Sequence, residues 1–196
     1  MWVITADQRG SRIVGERVAE LLAGLPDVPG IVRRAERTVG DEVQAVLDDA
    51  GGVVELALHL LRDGGWSVGI GAGAVDEPLP SSSRAASGEA FILAREAVET
   101  AKSRRRSVPV AVRGADIGAA ADAEAVLTLI GAVARRRSMA GWEVVDLAAS
   151  GDGQAVIARR LGISVQAVSQ RLRTALWAEE TAARSAAARL LVTAAG

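Results

Sequence analysis

Arg37-Thr38-Val39-Gly40-Asp41-Glu42-Val43-Gln44 decides how the first half of this chain reads. Ile31 to Ala35 before it is strand-like. After it, Val43, Ala45 and Leu47 alternate with Gln44 and Val46. Gly-Asp between two such runs marks a hairpin, because glycine accepts positive φ and aspartate can bond its own backbone. A tight turn holds its carboxylate at a fixed point, here that of Asp41. Trp2-Val3-Ile4-Thr5-Ala6-Asp7 is a second short apolar run that ends in an acid. If the two segments are neighbouring strands, Asp7 and Asp41 converge, and a divalent cation such as Mg²⁺ is the usual relief for two close carboxylates. The plainer reading makes Asp7 a helix cap and Asp41 a turn residue.

Outward from the hairpin, Ser11 to Leu25 has helical spacing, with Val14, Val18, Leu21, Leu22 and Leu25 on one face. Pro26, Pro29 and Gly30 then break the chain. Val53 to Leu61 reads as a more apolar helix stopped by Gly64-Gly65, and its lone histidine, His59, reads as a packed or surface residue. Trp66 to Val75 is a strand whose glycines let another backbone or a ligand come close. Its spacing is not that of a dinucleotide fingerprint. The order strand, helix, strand, strand, helix, strand is ferredoxin-like. A polar Ser- and Pro-rich loop, Pro78 to Ser87, leads to a helix over Gly88 to Lys102. Ser107 to Val112 is a further strand, and Pro109 suits a sheet edge there.

The chain has 196 residues, 49% of them apolar and 24% charged, with net charge −1. A core is affordable, and no global field draws the protein to nucleic acid or membrane. There is no cysteine, which excludes disulfides and thiolate metal sites. The first residues do not have the pattern of a signal peptide, and no apolar run approaches the roughly 20 residues of a membrane span. A cytoplasmic location without membrane attachment is expected.

In the second half, Gly114 to Asp122 is small and polar, so the domain boundary is placed there. Ala123 to Arg137 and Gly141 to Ala149 read as helices. The run from Gln154 to Leu172 then carries the sharpest signal. A short helix turns Ile157, Ala158 and Leu161 inward, Gly162 ends it, Ile163 plugs the core, and Ser164 caps the next helix. Val168 and Leu172 face inward, leaving Gln166, Ala167, Ser169, Gln170 and Arg173 outside. Two short helices about a glycine turn form a helix-turn-helix, whose second helix enters the major groove of double-stranded DNA. Ser164, Gln166, Ala167, Ser169, Gln170, Arg171 and Arg173 are the candidate contacts, since Gln and Ser bond base edges and Arg reaches guanine or phosphate. From Gly131 to Leu176 seven arginines stand against three acids, a local basic footprint in a neutral protein. The competing reading is a helical hairpin used only for packing. Trp177 to Val192 reads as a final Ala-rich helix.

Several segments carry a family resemblance. Asp7, the Arg-Thr-Val-Gly-Asp-Glu-Val hairpin, the Val-Gly-Ile-Gly-Ala-Gly strand and the Gly-Glu-Ala-Phe-Ile-Leu-Ala-Arg helix fall in the order seen in class III nucleotidyl cyclase domains. This resemblance covers roughly the first half of the chain. It implies a palm-like sheet, with Asp7 and Asp41 at the positions that bind metal and triphosphate. The family's helix carries an Asn and, four residues on, an Arg; Ile92 and Glu96 stand there, and Arg95 lies about 100° round the helix from Glu96. An acid where a phosphate-binding cation belongs opposes phosphoryl transfer, so nucleotide binding without cyclisation is implied.

The same half resembles the SatD family of small bacterial proteins in its Ile-Thr-Ala-Asp-Gln-Arg-Gly-Ser-Arg opening, its Glu-Arg-Thr-Val-Gly-Asp-Glu-Val-Gln hairpin and its Pro-Leu-Pro-Ser-Ser-Ser-Arg loop. Arg9, Ser11, Arg12, Arg37, Gly40 and Arg84 lie in or beside these segments. They are candidate nucleotide contacts, or else surface groups in solvent. From Gly141 to Ala175 the chain resembles the helix-turn-helix of sigma-factor region 4 and LuxR-type regulators.

The expectation is an α+β protein: a cyclase-like palm domain over residues 1–113, then an all-α helix-turn-helix domain over 114–196. Its function would be a homodimeric, DNA-binding transcriptional regulator that senses a nucleotide or related phosphate ligand, with Mg²⁺. The alternatives are a metal-dependent cyclase or other phosphoryl-transfer enzyme with a DNA-binding appendage, and a palm that serves only as a dimerisation scaffold.

Overall fold

In a computed structural model of the chain, the backbone is described from residue 1 to residue 196, and all side chains are described except those of Arg12 and Val14. The protein is α+β, built on a five-stranded mixed sheet. The strands are β1 (Trp2–Gln8), β2 (Ile31–Arg37), β3 (Glu42–Leu47), β4 (Trp66–Ala72) and β5 (Val110–Gly114). Their order in the sheet is β2-β3-β1-β4-β5, antiparallel throughout except for the parallel β4–β5 pair. β1 is therefore central, and its near-continuous apolar run follows from having both faces covered. β5 is an edge strand, as Pro109 suggested, but it begins three residues later than the sequence indicated.

On one face of the sheet, Trp2, Ile4 and Ala6 join a large core with α3 (Ala50–Asp63) and β4. Asp49 caps α3 by accepting from Gly52 N at 2.7 Å, and Gly64 ends it at φ 76°. Two helices from the second half share this core: α5 (Ile117–Arg136) through Ala123, Leu127 and Ile130, and α9 (Trp177–Ala194) through Ala187 and Leu191. Trp2 Nε1 donates to Leu191 O at 3.0 Å, and Asp116 N donates to Ala194 O. The core thus runs across residue 113, where the sequence placed a boundary. It is α6 (Met139–Ala149), α7 (Gln154–Leu161) and α8 (Val165–Thr174) that form a separate small cluster around Val144, Ile157, Ala158 and Val168. α5 is long and apolar enough to span a membrane by composition, with a window hydropathy of 1.6. Its inner side is built into the sheet core, and it carries Asp122, Glu124, Arg135 and Arg136.

The other face is covered by α4 (Glu89–Ala101), packed through Ala90 and Ala94 on Val3 and Val46. A Cβ on Gly71 would lie 2.1 Å from Ala90 O, and one on Gly69 would lie 2.2 Å from Val98 N. The glycines of β4 therefore admit the backbone of α4, which decides between the two uses the sequence left open.

The segment expected as one helix over Ser11 to Leu25 is two, α1 (Ser11–Val14) and α2 (Val18–Gly24). Gly15 sits at φ 80° and ends the first. Buried Gln8 bridges the gap, donating from Nε2 to Gly15 O at 2.6 Å and accepting at Oε1 from Arg17 N at 2.9 Å. Hydrophobic spacing cannot register such a break, because Val18 and Leu21 stay on the core face across it.

Candidate functional site

The sheet face under α4 is only partly filled. A groove of about 810 Å³ opens between the β2–β3 turn and α4, with Thr38, Val39 and Gln44 on one side and Phe91, Ile92 and Arg95 on the other. Its far wall is the Ser- and Pro-rich loop. Arg33 of β2 ties this loop down, donating from Nε to Pro80 O and from Nη2 to Leu79 O at 2.7 Å. Glu36 accepts from Ser82 Oγ at 2.6 Å and from Arg84 N at 3.1 Å. The Ser82 hydrogen bond holds the Glu36 carboxyl below its ordinary value, although partial burial opposes it. Beneath the loop, Gln44 Nε2 donates to Thr5 Oγ1 and Ser83 Oγ donates to Gln44 O, so the buried polar groups of the floor are satisfied.

Val39 (78% exposed) and Ile92 (64% exposed) stand on opposite lips of the groove as exposed apolar side chains. Arg84 and Arg95 also line it, and neither guanidinium has a partner among the described residues. Asp76, Glu89 and Glu96 bring three carboxylates to the same lining. A bare polyanion meets excess negative charge there. A phosphate whose charge is balanced by a cation does not.

Of the residues expected to bind a nucleotide, Arg84 lines this groove, with Thr38, Val39 and Arg95 alongside. Arg37 is engaged elsewhere, pairing with Glu16 at 2.8 Å and donating from Nε to Gly40 O. Arg9 follows β1, and its backbone donates to Gly65 O; Ser11 opens α1. The side chain of Arg12 lies outside the described residues. Ile92 and Glu96 both line the groove. Arg95 does too, although helical geometry alone set it apart from Glu96.

Asp7 and Asp41 lie at one end of the β1–β3 pair, where Gln8 N donates to Asp41 O at 3.3 Å. Lys102, at the end of α4, places Nζ 3.0 Å from Asp7 Oδ2 and 2.6 Å from Glu99 Oε1. Burial raises the Asp7 carboxyl above its ordinary value, the Lys102 ammonium works against this, and the charges of Asp41 and Glu99 add to it. For Lys102, burial works to lower the pKa and is outweighed by the hydrogen bonds to Glu99 and Asp7, so the ammonium is held above its ordinary value. Among the described residues no three His, Cys, Asp or Glu side chains gather as a metal cluster. Asp7 and Asp41 feel each other, but Asp7 already has a cation. Lys102 is the residue the sequence reading overlooked, since nothing in the spacing links the end of α4 to the end of β1.

At the other end of the molecule, Gly162 (φ 65°, ψ 31°) closes α7, and Ile163 N donates back to Ala158 O. Ser164 Oγ accepts from Ala167 N at 3.1 Å and opens α8. Val168 is fully buried, while Ser164, Gln166, Gln170 and Arg173 are exposed; Ala167 and Ser169 are half-buried. Arg171 donates to Glu143 Oε2 at 3.3 Å.

A polar seam joins α6–α8 to the rest. Arg62 of α3 holds Asp146 through two hydrogen bonds, and the Trp142 ring lies between Arg62 (3.7 Å) and Arg137 (4.4 Å). Arg137 also pairs with Glu180, which in turn takes Arg184. Comparison with family models, with curated proteins and with solved structures gives no match to this chain.

Proposed function

We propose that the protein is a DNA-binding regulator whose sheet groove senses a nucleotide or related phosphate ligand. The observation that carries the first part is α7, its left-handed glycine turn and capped α8, standing on a core of their own, with Gln166, Gln170 and Arg173 exposed and without side-chain partners among the described residues. This arrangement supports a helix-turn-helix reading, in which α8 would be the helix that enters a major groove. Supporting the second part, the strand order β2-β3-β1-β4 with antiparallel pairing is that of the ferredoxin-like split βαβ, to which α4 and β5 add a parallel strand, as in a palm. The groove on that sheet offers apolar lips for a base and two free guanidiniums for phosphate.

Mg²⁺ enters this reading as a competitor of Lys102 for Asp7 and Asp41, and as the charge carried in with a triphosphate. Ile92 supplies no ribose contact and Glu96 no cation, so the reading is of a sensor without cyclase chemistry. Two copies of α8 on a palindromic site would give the contact count that one helix lacks.

The test is duplex binding by the intact chain, with and without nucleoside triphosphate and Mg²⁺. Gln166→Ala or Gln170→Ala should cost about 1–3 kcal/mol on a selected site and little on random duplex. Absence of duplex binding at low salt under either condition would remove the regulator reading. Formation of a cyclic nucleotide, lost in Asp41→Asn, would put the phosphoryl-transfer enzyme in its place.

A further inference from the structure

α5 is apolar nearly all the way round, yet only 39% of its most apolar stretch is buried within the chain. A helix of that composition is normally enclosed on every side. Ala123, Leu127 and Ile130 face the sheet core, whereas Leu129 is 69% exposed and Ile117 82%. Asp122, Ala125, Leu129, Ala132 and Arg136 follow one another in steps of three and four, so they form one stripe along the outer side. Its middle is apolar and its two ends are charged. Beside the stripe an apolar groove of about 130 Å³ opens between α5 and α9, lined mainly by Leu129, Val133, Leu176 and Ala183.

The charges indicate what covers this face. Asp122 and Arg136 are both exposed, and neither has an ion-pair partner among the described residues. Asp122 lies in the second turn of α5, past the reach of the helix's own dipole. Each charge stands seven residues from Leu129, about 10 Å along the axis in opposite directions. A second α5 laid antiparallel, Leu129 on Leu129, sets Asp122 against the partner's Arg136 and Arg136 against the partner's Asp122. A parallel copy would oppose like charges. The stripe is therefore self-complementary in the way a twofold interface requires. The same register brings the start of one α5, with Ile117, toward the end of the other, where Met139 is 84% exposed.

We propose that the outer face of α5 is a homodimer interface, in which two copies pack antiparallel about a twofold axis at Leu129. The groove between α5 and α9 takes side chains of the facing helix. The interface is argued from α5 alone and does not rest on the regulator reading, although it supplies the pairing of α8 helices that the reading calls for.

Sedimentation of the full chain at about 10 µM should show a dimer, and Leu129→Glu should weaken it by at least about thirtyfold. Leu129 is exposed in the single copy, so the variant should keep the wild-type circular dichroism. Asp122→Arg and Arg136→Asp should each weaken the dimer, and the two together should restore it. The chain has no cysteine, so Leu129→Cys should oxidise to a covalent dimer. Ile117→Cys, about 18 Å from the axis, should not. Flotation with phosphatidylcholine vesicles tests lipid as the occupant. A wild type that is monomeric at about 100 µM, a dimer that Leu129→Glu leaves intact, or vesicle binding that Leu129→Glu abolishes would each overturn the proposal. A dimer broken by Leu129→Glu that binds no duplex upholds the interface and removes only the regulator reading.

Discussion

Lys102 Nζ lies 3.0 Å from Asp7 Oδ2, so the carboxylate best placed for a metal is already neutralised by an ammonium on the neighbouring helix. Mg²⁺ must displace that contact to reach Asp7 and Asp41. Lys102→Met removes the competitor and keeps the aliphatic stem. The variant should show a larger rise in melting temperature with Mg²⁺ than the wild type. At a Mg²⁺ concentration tenfold above its dissociation constant, mass action gives about 1.4 kcal/mol. Equal responses in the two proteins would mean that the ion does not use these carboxylates.

The same pair sets a pH dependence. Burial holds the folded Asp7 carboxyl above its ordinary 3.8, so its contribution to stability is fully present below 3.8 and is lost as pH rises through the folded value. Asp7→Asn has no such term, and Lys102 remains charged throughout this range. The melting temperature of the wild type minus that of Asp7→Asn should therefore fall as pH rises from the strongly acidic side toward neutrality. Thermal melts across that range check the sign. A difference that grows with pH would show that the attraction of Lys102 outweighs burial.

β4 offers a sharper mechanical test. A methyl group on Gly71 would meet Ala90 O at 2.1 Å and Ala94 N at 2.4 Å, both backbone atoms of α4 that cannot rotate away. Gly71→Ala should lift α4 from the sheet and cost about 1–3 kcal/mol, the usual penalty of overpacking. Because α4 carries Phe91, Ile92 and Arg95, the groove should deform with it. Urea denaturation measures the first effect, and loss of ligand-induced stabilisation measures the second.

These contacts show what the chain reveals directly and what it conceals. The hairpin about Gly40, the capped turn at Gly162–Ser164 and the order of strands were legible because each rests on local chemistry: a positive φ, a side-chain cap, a period of two or of 3.6. The break at Gly15 was hidden because its stabilising partner, Gln8, sits on β1 and makes bonds that spacing does not register. The return of α9 to the sheet was hidden for a related reason. Its inner residues, Ala187, Leu191 and Ala194, are as small and apolar as those of any surface helix in an Ala-rich stretch. Of the groove, Arg84 was named, but Arg95 was set aside because an ideal helix places it away from Glu96. The lining runs from Glu89 to Glu96, about two turns of α4, and so takes in both Arg95 and Glu96.

Arg84 and Arg95 supply the last test. Both are exposed and both lack a partner among the described residues, so neither contributes an ion pair to the fold. Arg84→Gln and Arg95→Gln should therefore leave the melting temperature of the ligand-free protein within the small range typical of surface changes, about 0.5 kcal/mol. If they hold the phosphate of a nucleotide, each should weaken its binding by about 1.5–3 kcal/mol, the worth of a hydrogen bond to a charged group. Arg33→Gln is the contrasting variant, because Arg33 grips the backbone of Leu79 and Pro80 and is not part of the groove lining. It should lower the stability of the free protein and loosen the loop that carries Arg84. Calorimetric titration with a nucleoside triphosphate and Mg²⁺ separates the two cases. Unchanged affinity in both Arg84→Gln and Arg95→Gln would leave the groove without its phosphate contacts and the sensing role without its site.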